Sequence, residues 1–411
     1  MAVFPWMTSD TLVESISRKI SLPLSQGTFS KEDILAFATE EMFISQVPSV
    51  MIYHEEYFVW PVKVPLVPNK TRYPIPDRAI GMKIRDLFYE DQSGNLFEMT
   101  RISEDDKAFF QRQMGTYQTI SKYYFESNNI VLSPFEINSP TGYLNFAIYL
   151  RPNVLVPNER AAIIQCFTKT ITVDNSQVVA GDTVTINGSI FEAVASSPTA
   201  NQFLIAGDSL GTAANLASVI TISGIIRSAG VGSPATTTAT LCYNDIVDTS
   251  IVVSNNDGFS LQVSQGIQFN SIPDHIVDGV VIDILETKAG HSMRDYGITL
   301  GTNSVSGNII TFPAGVVPSN VIVGDYICVE NECIIPQIPT DLHSGLAERT
   351  CARILAAIGD QAGQAASDKK IAEIDQSQGT LLNNRAEGSI KKVVSRHSLL
   401  AMGKMAYRRR F

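Results

Sequence analysis

His54-Glu55-Glu56 is the densest group of potential metal ligands in the sequence. Zinc ligands must converge from one face, as the two histidines of HExxH do at a four-residue step on a helix. Here the three are adjacent, and adjacent side chains on a strand point to opposite faces, so two of them do not share one ion. The triplet reads as polar side chains facing solvent beside a buried Tyr57-Phe58. A second candidate, Ala206-Gly207-Asp208-Ser209-Leu210-Gly211-Thr212, joins a strand to a helix in the manner of a phosphate loop. It lacks the lysine of G-x-x-x-x-G-K-[ST] and the spacing of G-x-G-x-x-G, so it reads as a loop and helix cap, with the helix starting near Thr212. Gly230-Val231-Gly232-Ser233-Pro234 leads into Thr-rich strand material and reads as a turn or linker.

Cys328 and Cys333 flank a tight turn at Glu330-Asn331-Glu332, where they could face each other across a hairpin. Free thiols are the default and a disulfide the alternative, while two ligands alone make no zinc site. His275, His291, His343 and His397 have no nucleophile motif near them: there is no G-x-S-x-G and no Cys-His signature. Paired carboxylates occur in any acidic chain and need a structure to reveal them. The reading is a protein without catalytic residues, cofactor or metal.

The sequence carries one strong charge asymmetry. From Arg385 onward there are eight Lys/Arg against one acid, Glu387, a charge of +7; the remainder holds 23 basic and 40 acidic residues, or −17. Arg396, Lys404, Arg408, Arg409 and Arg410 are interleaved with Leu399, Leu400, Met402, Met405, Tyr407 and Phe411. Such a strip can be a solvated end, a phosphate binder, or an arm whose apolar anchors dock in a protein groove; the interleaving suits the groove at least as well as nucleic acid.

The elements that must position these residues follow from periodicity. A chain of 411 residues with 44% hydrophobic and 18% charged residues predicts folded, soluble domains, two or three of them. MAVFPWMTSD has no basic n-region or apolar h-region, and no run approaches the roughly 18 apolar residues of a membrane span. Five scattered cysteines predict no disulfide scaffold and synthesis in a reducing cytoplasm.

Residues 1–60 read as helical. In SDTLVESISRKI, Ser9 or Asp10 is the expected N-cap, with Leu12, Ile16 and Ile20 on one face. In FSKEDILAFATEEMFI, Ser30 caps, Ile34, Phe37, Ala38 and Met42 form the stripe, and Pro48 is expected to end the helix. Residues 61–165 read as the first part of a β domain, 166–265 as an inserted small mainly-β domain opened by an Asn187-Gly188 hairpin, and 266–338 as the second part. Residues 339–384 read as C-terminal helices, with Leu342, Leu346, Ile354, Leu355 and Ile358 near one face and Gly359 as C-cap; 385–411 is the basic tail. The predicted class is α+β, with N- and C-terminal helices packed together around β domains and the insert.

The stretches TLVESISRKISLPLSQGTFSKEDILAFATEEM, IYHEEYFVWPVKVPLVPNKTRYPIPDRAIGMKIRDLFYEDQSGNLFEMTRI and IPTDLHSGLAERTCARILAAIGD together resemble the head-to-tail adaptor (connector) proteins of tailed bacteriophages. The RYPIPxRAIG stretch, Arg72 to Gly81 with Asp77 at x, is part of that likeness, which spans 1–160 and 266–400. TVTINGSIFEAVASSPTANQFLIAGDSLGTAANLASVI looks like a module found in many phage virion proteins, added to the basic pattern. The resemblance implies a virion protein at the neck, synthesised in the host bacterial cytoplasm. It implies a homo-oligomeric ring of about twelve copies closed by heterologous contacts. The partners implied are the portal protein above and tail or further neck proteins below. Genomic DNA would pass through the channel without sequence-specific binding, and no membrane is involved. A C-terminal extension that reaches the portal makes Arg396, Leu399, Leu400, Met402, Lys404, Met405, Tyr407, Arg408, Arg409, Arg410 and Phe411 the expected portal-binding residues. Two other readings stand beside this one: a tail-tube or baseplate-type structural protein, and a receptor- or glycan-binding virion protein acting through the insert.

Overall fold

A computed structural model of the chain describes residues 7–20, 29–68, 70–103, 122–133, 142–186, 188–220, 225–231, 237–243, 251–253, 258–261, 264–287 and 293–381. The fold is α+β, with helices at both ends and several sheets between them.

Helix α1 (Ser9–Ile20) buries Leu12, Val13, Ile16 and Ile20, the stripe its spacing predicts. Its cap differs from expectation. Leu12 N–H donates to Thr8 O, and the Thr8 and Thr11 side chains meet beside it, so Thr8 precedes the first turn and Ser9 lies inside the helix. Ser9 is buried and used elsewhere: its backbone N–H and its Oγ both donate to Ile334 O, at 2.7 and 3.1 Å.

Helix α2 (Lys31–Glu41) has the expected capping box: Ser30 Oγ accepts from Asp33 N at 3.1 Å and Asp33 Oδ2 accepts from Ser30 N at 2.9 Å. Pro48 does not end the helical path. A π-turn over Met42–Gln46, closed by Val47 N–H on Met42 O, leads straight into α3 (Val47–Tyr53) with Pro48 in its first turn. The wider turn removes the crowding that a proline ring would meet in a regular helix, and the missing N–H falls where no intrahelical partner is needed. His54-Glu55-Glu56 therefore lies at the end of α3 and in the 3-10 turn Glu55–Phe58, not on a strand.

The β region read at 61–165 forms two four-stranded sheets. The first runs Val59–Pro65, Tyr143–Leu150, Ala79–Glu90, Leu96–Glu98, all antiparallel. Leu144, Phe146, Ile148 and Leu150 are buried on one face of it, as their period of two predicts. The second runs Arg72–Pro74, Asn129–Ser133, Lys122–Glu126, Thr100–Arg101. The chain passes from one to the other at Met99: its N–H still donates to Leu87 O of the first sheet, while Thr100 already pairs with Lys122 of the second.

A third, larger sheet contains Met293–Thr299, Val281–Leu285, Tyr326–Val329, Ala162–Val173, Gln265–Phe269, Ile309–Phe312 and Val305–Ser306. Ala162–Val173 crosses the junction read at 165/166. Its first half pairs with Tyr326–Val329 and Gln265–Phe269, and its second half with Thr237–Tyr243 and Phe259–Leu261. The insert thus grows out of a strand of the main sheet rather than from a linker. It has its own core of Ile171, Val173, Val184, Phe191, Phe203, Leu216 and Phe259, closed by a four-stranded sheet and helix α4 (Ser209–Val219). Helix α4 begins at Ser209, three residues before the expected start, because Asp208 caps it by accepting from Gly211 N at 2.7 Å.

Glu332–Cys333 does not fold back on Tyr326–Val329; it pairs in parallel with Val154–Leu155. Helix α5 (His343–Ile358) buries Leu346, Ile354 and Leu355 and ends at Gly359 (φ 81°), the predicted C-cap. Ile358 is exposed, one position beyond the buried arc. Helix α6 (Gln361–Leu381) packs on α5 along a narrow seam that includes buried Ser367, and exposes most of its other described residues. Helices α1, α2 and α5 share one core with the first two sheets.

Candidate functional site

Three arrangements place charged or titratable groups where they act on the fold or face solvent. The first joins the two ends of the described chain. His343, at the start of α5, is 1% exposed. Met7 N–H donates to its Nδ1 at 3.0 Å, which fixes the lone pair there and the proton on Nε2, facing Pro336 O and Ile338 O at 3.2 Å each. Burial pulls the imidazole down to about 4, against the partial opposition of the two carbonyls and Asp341. It is a neutral histidine used as a bracket. Around it, Lys19 of α1 binds Glu348 of α5 at 2.5 Å, and Lys370 of α6 lies 3.5 Å from the same carboxylate. Arg353 of α5 binds Glu40 and Glu41 of α2.

The second is a buried polar node centred on Asp283, which is fully enclosed. Its Oδ2 accepts from Arg78 Nη1 at 3.0 Å, Asn153 Nδ2 at 2.8 Å and Asn331 N at 3.0 Å, while Oδ1 accepts from Gly297 N at 3.0 Å. Arg78 also donates to Asn153 Oδ1 and lies 5.1 Å from the centre of the Tyr296 ring. Asn153 N donates to Gln337 Oε1 at 2.5 Å. The node ties the 72–81 stretch, the loop after Leu150, the third sheet and the run into α5. Four segments far apart in sequence meet at one carboxylate. The carboxylate of Asp283 is met on both oxygens by protein donors and Arg78 and Asn153 are themselves buried, as in a structural node.

The third is an open cleft of about 560 Å³ where the first two sheets diverge. Lys83, Arg85 and Arg101 stand on its rim, over Ile84, Phe125 and Tyr149. Arg101 lies 4.7 Å from the centre of the Phe125 ring. Arg85 has only long contacts, 3.4 Å to Glu56 and 3.4 Å to Asp86, and among the described residues neither Lys83 nor Arg101 has a carboxylate partner. Two non-glycine residues in the left-handed region shape the cleft: Met82 (φ 55°) beside Gly81 (φ 57°), at the bulge where the register shifts between Ala79 and Ile84, and Ser127 (φ 54°) in the Lys122–Ser133 hairpin.

The residues singled out by sequence distribute as follows. All of the expected portal-binding positions, Arg396 to Phe411, lie outside the described residues. His54 and Glu56 hold no shared ligand position, and among the described residues no three His, Cys, Asp or Glu side chains group as a metal site. Cys328 and Cys333 are free, buried thiols whose burial raises both pKa values. Cys166, by contrast, is disulfide-bonded, which spacing along the chain does not reveal. No described helix is long and apolar enough to cross a membrane. Sequence reasoning missed Asp283 and the cleft. Arg78 sits within the RYPIPxRAIG stretch, and Lys83-Ile84-Arg85 shows basic residues at a two-residue step, so the signals existed without a partner to give them meaning.

No family model matches the chain, and no curated protein does. Among solved structures, the D1-D2-D3 domains of the flagellar cap protein FliD from Escherichia coli align at 8% identity over 93% of this chain and 80% of that one, with a TM-score of 0.16. A score that low carries no argument about fold or function.

Proposed function

We propose that this chain is a non-enzymatic structural protein of a tailed-phage virion, forming a ring at the neck that joins the portal to the tail and prolongs the DNA channel. The sequence resemblance supplies the reading. The observation that supports it most is the terminal bracket: α1, α2 and α5 lock both ends of the described chain into one body through His343, Glu348 and Arg353. A subunit that must hold its shape against identical neighbours and transmit load needs such a rigid helical flank. Helix α6, largely exposed, ends at Leu381, just before the basic strip that opens at Arg385. The charge of −17 outside that strip disfavours retention of DNA in a lumen, while the strip's Arg and aromatic residues suit an acidic groove on the portal. The alternative of a glycan reader in the insert finds little support among the described side chains, because Phe167, Phe191, Phe203 and Phe259 are buried and offer no sugar-stacking platform; the Tyr243 side chain lies outside the described ones.

The test is capture of the intact chain by the purified portal ring of the same phage, followed by end-on negative-stain averaging. A coaxial second ring, lost when 385–411 is removed, is the expected result. Absence of binding to a portal that accepts other partners would overturn the neck reading and favour a tail-tube or baseplate role.

A further inference from the structure

The cleft between the first two sheets has three properties that belong together. It concentrates cations: Lys83, Arg85 and Arg101 line one opening, and their only carboxylate contacts among the described residues are two long ones to Arg85. It has an apolar and aromatic floor. It also borders an unused strand edge. Ala79–Glu90 pairs with Tyr143–Leu150 on one side at Ala79, at Ile84 and from Asp86 to Glu90, with register shifts between them, and on the other side pairs with Leu96–Glu98 only at Phe88, Tyr89 and Glu90. The last rung is Met99 N–H on Leu87 O, after which the neighbouring chain turns away into the second sheet. Beyond that point, among the described residues, no strand covers 82–86 on that side. An open backbone edge beside a pocket is the arrangement that accepts an added strand.

We propose that this cleft is a docking site for an extended acidic segment of a partner protein. The segment adds as a short strand along 82–86 and places its carboxylates against Lys83, Arg85 and Arg101. Charge complementarity selects the acidic class, since among the described residues Lys83 and Arg101 have no carboxylate partner and Arg85 has two at 3.4 Å, a cluster that favours carboxylates over a neutral strand. The floor takes the alternate side chains of the added strand, which are apolar or aromatic. A nucleic-acid phosphate backbone is the less suitable occupant, because it offers no amide ladder to an open strand edge. The proposal does not depend on the neck reading, because the cleft is a property of the two sheets alone.

The experiment uses the full chain and fluorescence anisotropy with three labelled probes: a peptide of alternating Glu and Val, the same peptide with Lys for Glu, and oligo-dT of matched charge. Wild type is compared with K83Q/R85Q/R101Q and with K83E/R85E/R101E. All three positions are exposed, and a cooperative thermal unfolding transition is the check that each variant folds. The basic strip at 385–411 is common to every chain, so its contribution cancels in the comparison. The Glu-Val peptide is expected to bind wild type and to lose about tenfold or more in affinity to the neutral variant. The Lys-Val peptide should bind only the charge-reversed chain. Hydrogen exchange of the 82–86 amides should slow in the wild-type complex with the Glu-Val peptide and in the charge-reversed complex with the Lys-Val peptide, and in no other mixture. Equal binding of the Glu-Val peptide to wild type and the neutral variant, or no binding at all, overturns the proposal. Loss of oligo-dT binding as large as the loss of peptide binding assigns the cleft to phosphates instead, and unchanged exchange at 82–86 rules out strand addition.

Discussion

Lowering the pH should loosen the terminal bracket through a single side chain. His343 is neutral in the folded chain, accepting from Met7 N–H and donating to Pro336 O and Ile338 O. A protonated Nδ1 would present a hydrogen to a hydrogen, on a ring that is almost fully buried. The folded imidazole therefore titrates at about 4, against an ordinary 6.5 in the unfolded chain. Between those values the unfolded chain binds a proton that the folded chain refuses, so stability is full above pH 6.5, falls as pH drops toward 4, and levels off below. At roughly 1.36 kcal/mol per pH unit the total is about 3 kcal/mol. Urea unfolding at fixed ionic strength from pH 7.5 to 4 measures the curve, but carboxylates also titrate at its acid end. The difference between wild type and His343→Asn removes their common contribution. Asn retains an acceptor for Met7 N–H and does not titrate, so the variant starts less stable at pH 7.5 and the gap closes by about 3 kcal/mol on the way to pH 4. Parallel curves for the two proteins would refute the assignment of His343 as a buried neutral bracket. Local hydrogen exchange at Met7 and Thr8 should follow the same profile.

Three further outcomes follow from packing and hydrogen bonding. Arg78→Met, which leaves Asp283 buried without its cation, should cost about 3–5 kcal/mol in urea unfolding. Asp283→Leu should cost more, because it also strands the N–H groups of Gly297 and Asn331, and the double variant should not recover wild-type stability. Ile16→Ala opens a cavity between α1 and α5 at a fully buried position and should lower stability by about 2–5 kcal/mol, with unchanged far-ultraviolet circular dichroism at low temperature. Two glycines give a paired test in thermal unfolding. Gly94→Ala (φ 81°) meets open space and should cost about 1–2 kcal/mol of conformational strain, whereas Gly142→Ala would place a Cβ 2.1 Å from Glu90 O and should lower the melting temperature much further.

The cysteines separate local from long-range information. Cys328 and Cys333 are free thiols in one core, close enough to interact, yet they are not rungs of one hairpin, because Glu332–Cys333 finds a parallel partner in Val154–Leu155. The same long-range pairing sets the Asp283 node, since Asn153 and Asn331 approach it from the two chains of that small ladder.

What the sequence determined by itself was whatever depends on neighbours a few residues apart. The buried faces of α1 and of Tyr143–Leu150, the Ser30–Asp33 capping box, the Gly359 cap and the α+β class all follow from periods of 3.6 and 2 and from local hydrogen bonding. Tertiary structure decided the rest. Pro48 is carried through by a π-turn over Met42–Gln46 that runs into α3. Ala162–Val173 serves two cores at once, so no boundary in composition could locate the insert. His343 becomes a bracket only because residue 7 is brought against residue 343, and Lys83, Arg85 and Arg101 become one cleft only because the chain leaves the first sheet at Met99. The physical reason is common to these cases. Burial and electrostatic coupling depend on distance in space, and a sequence specifies that distance only through the fold as a whole.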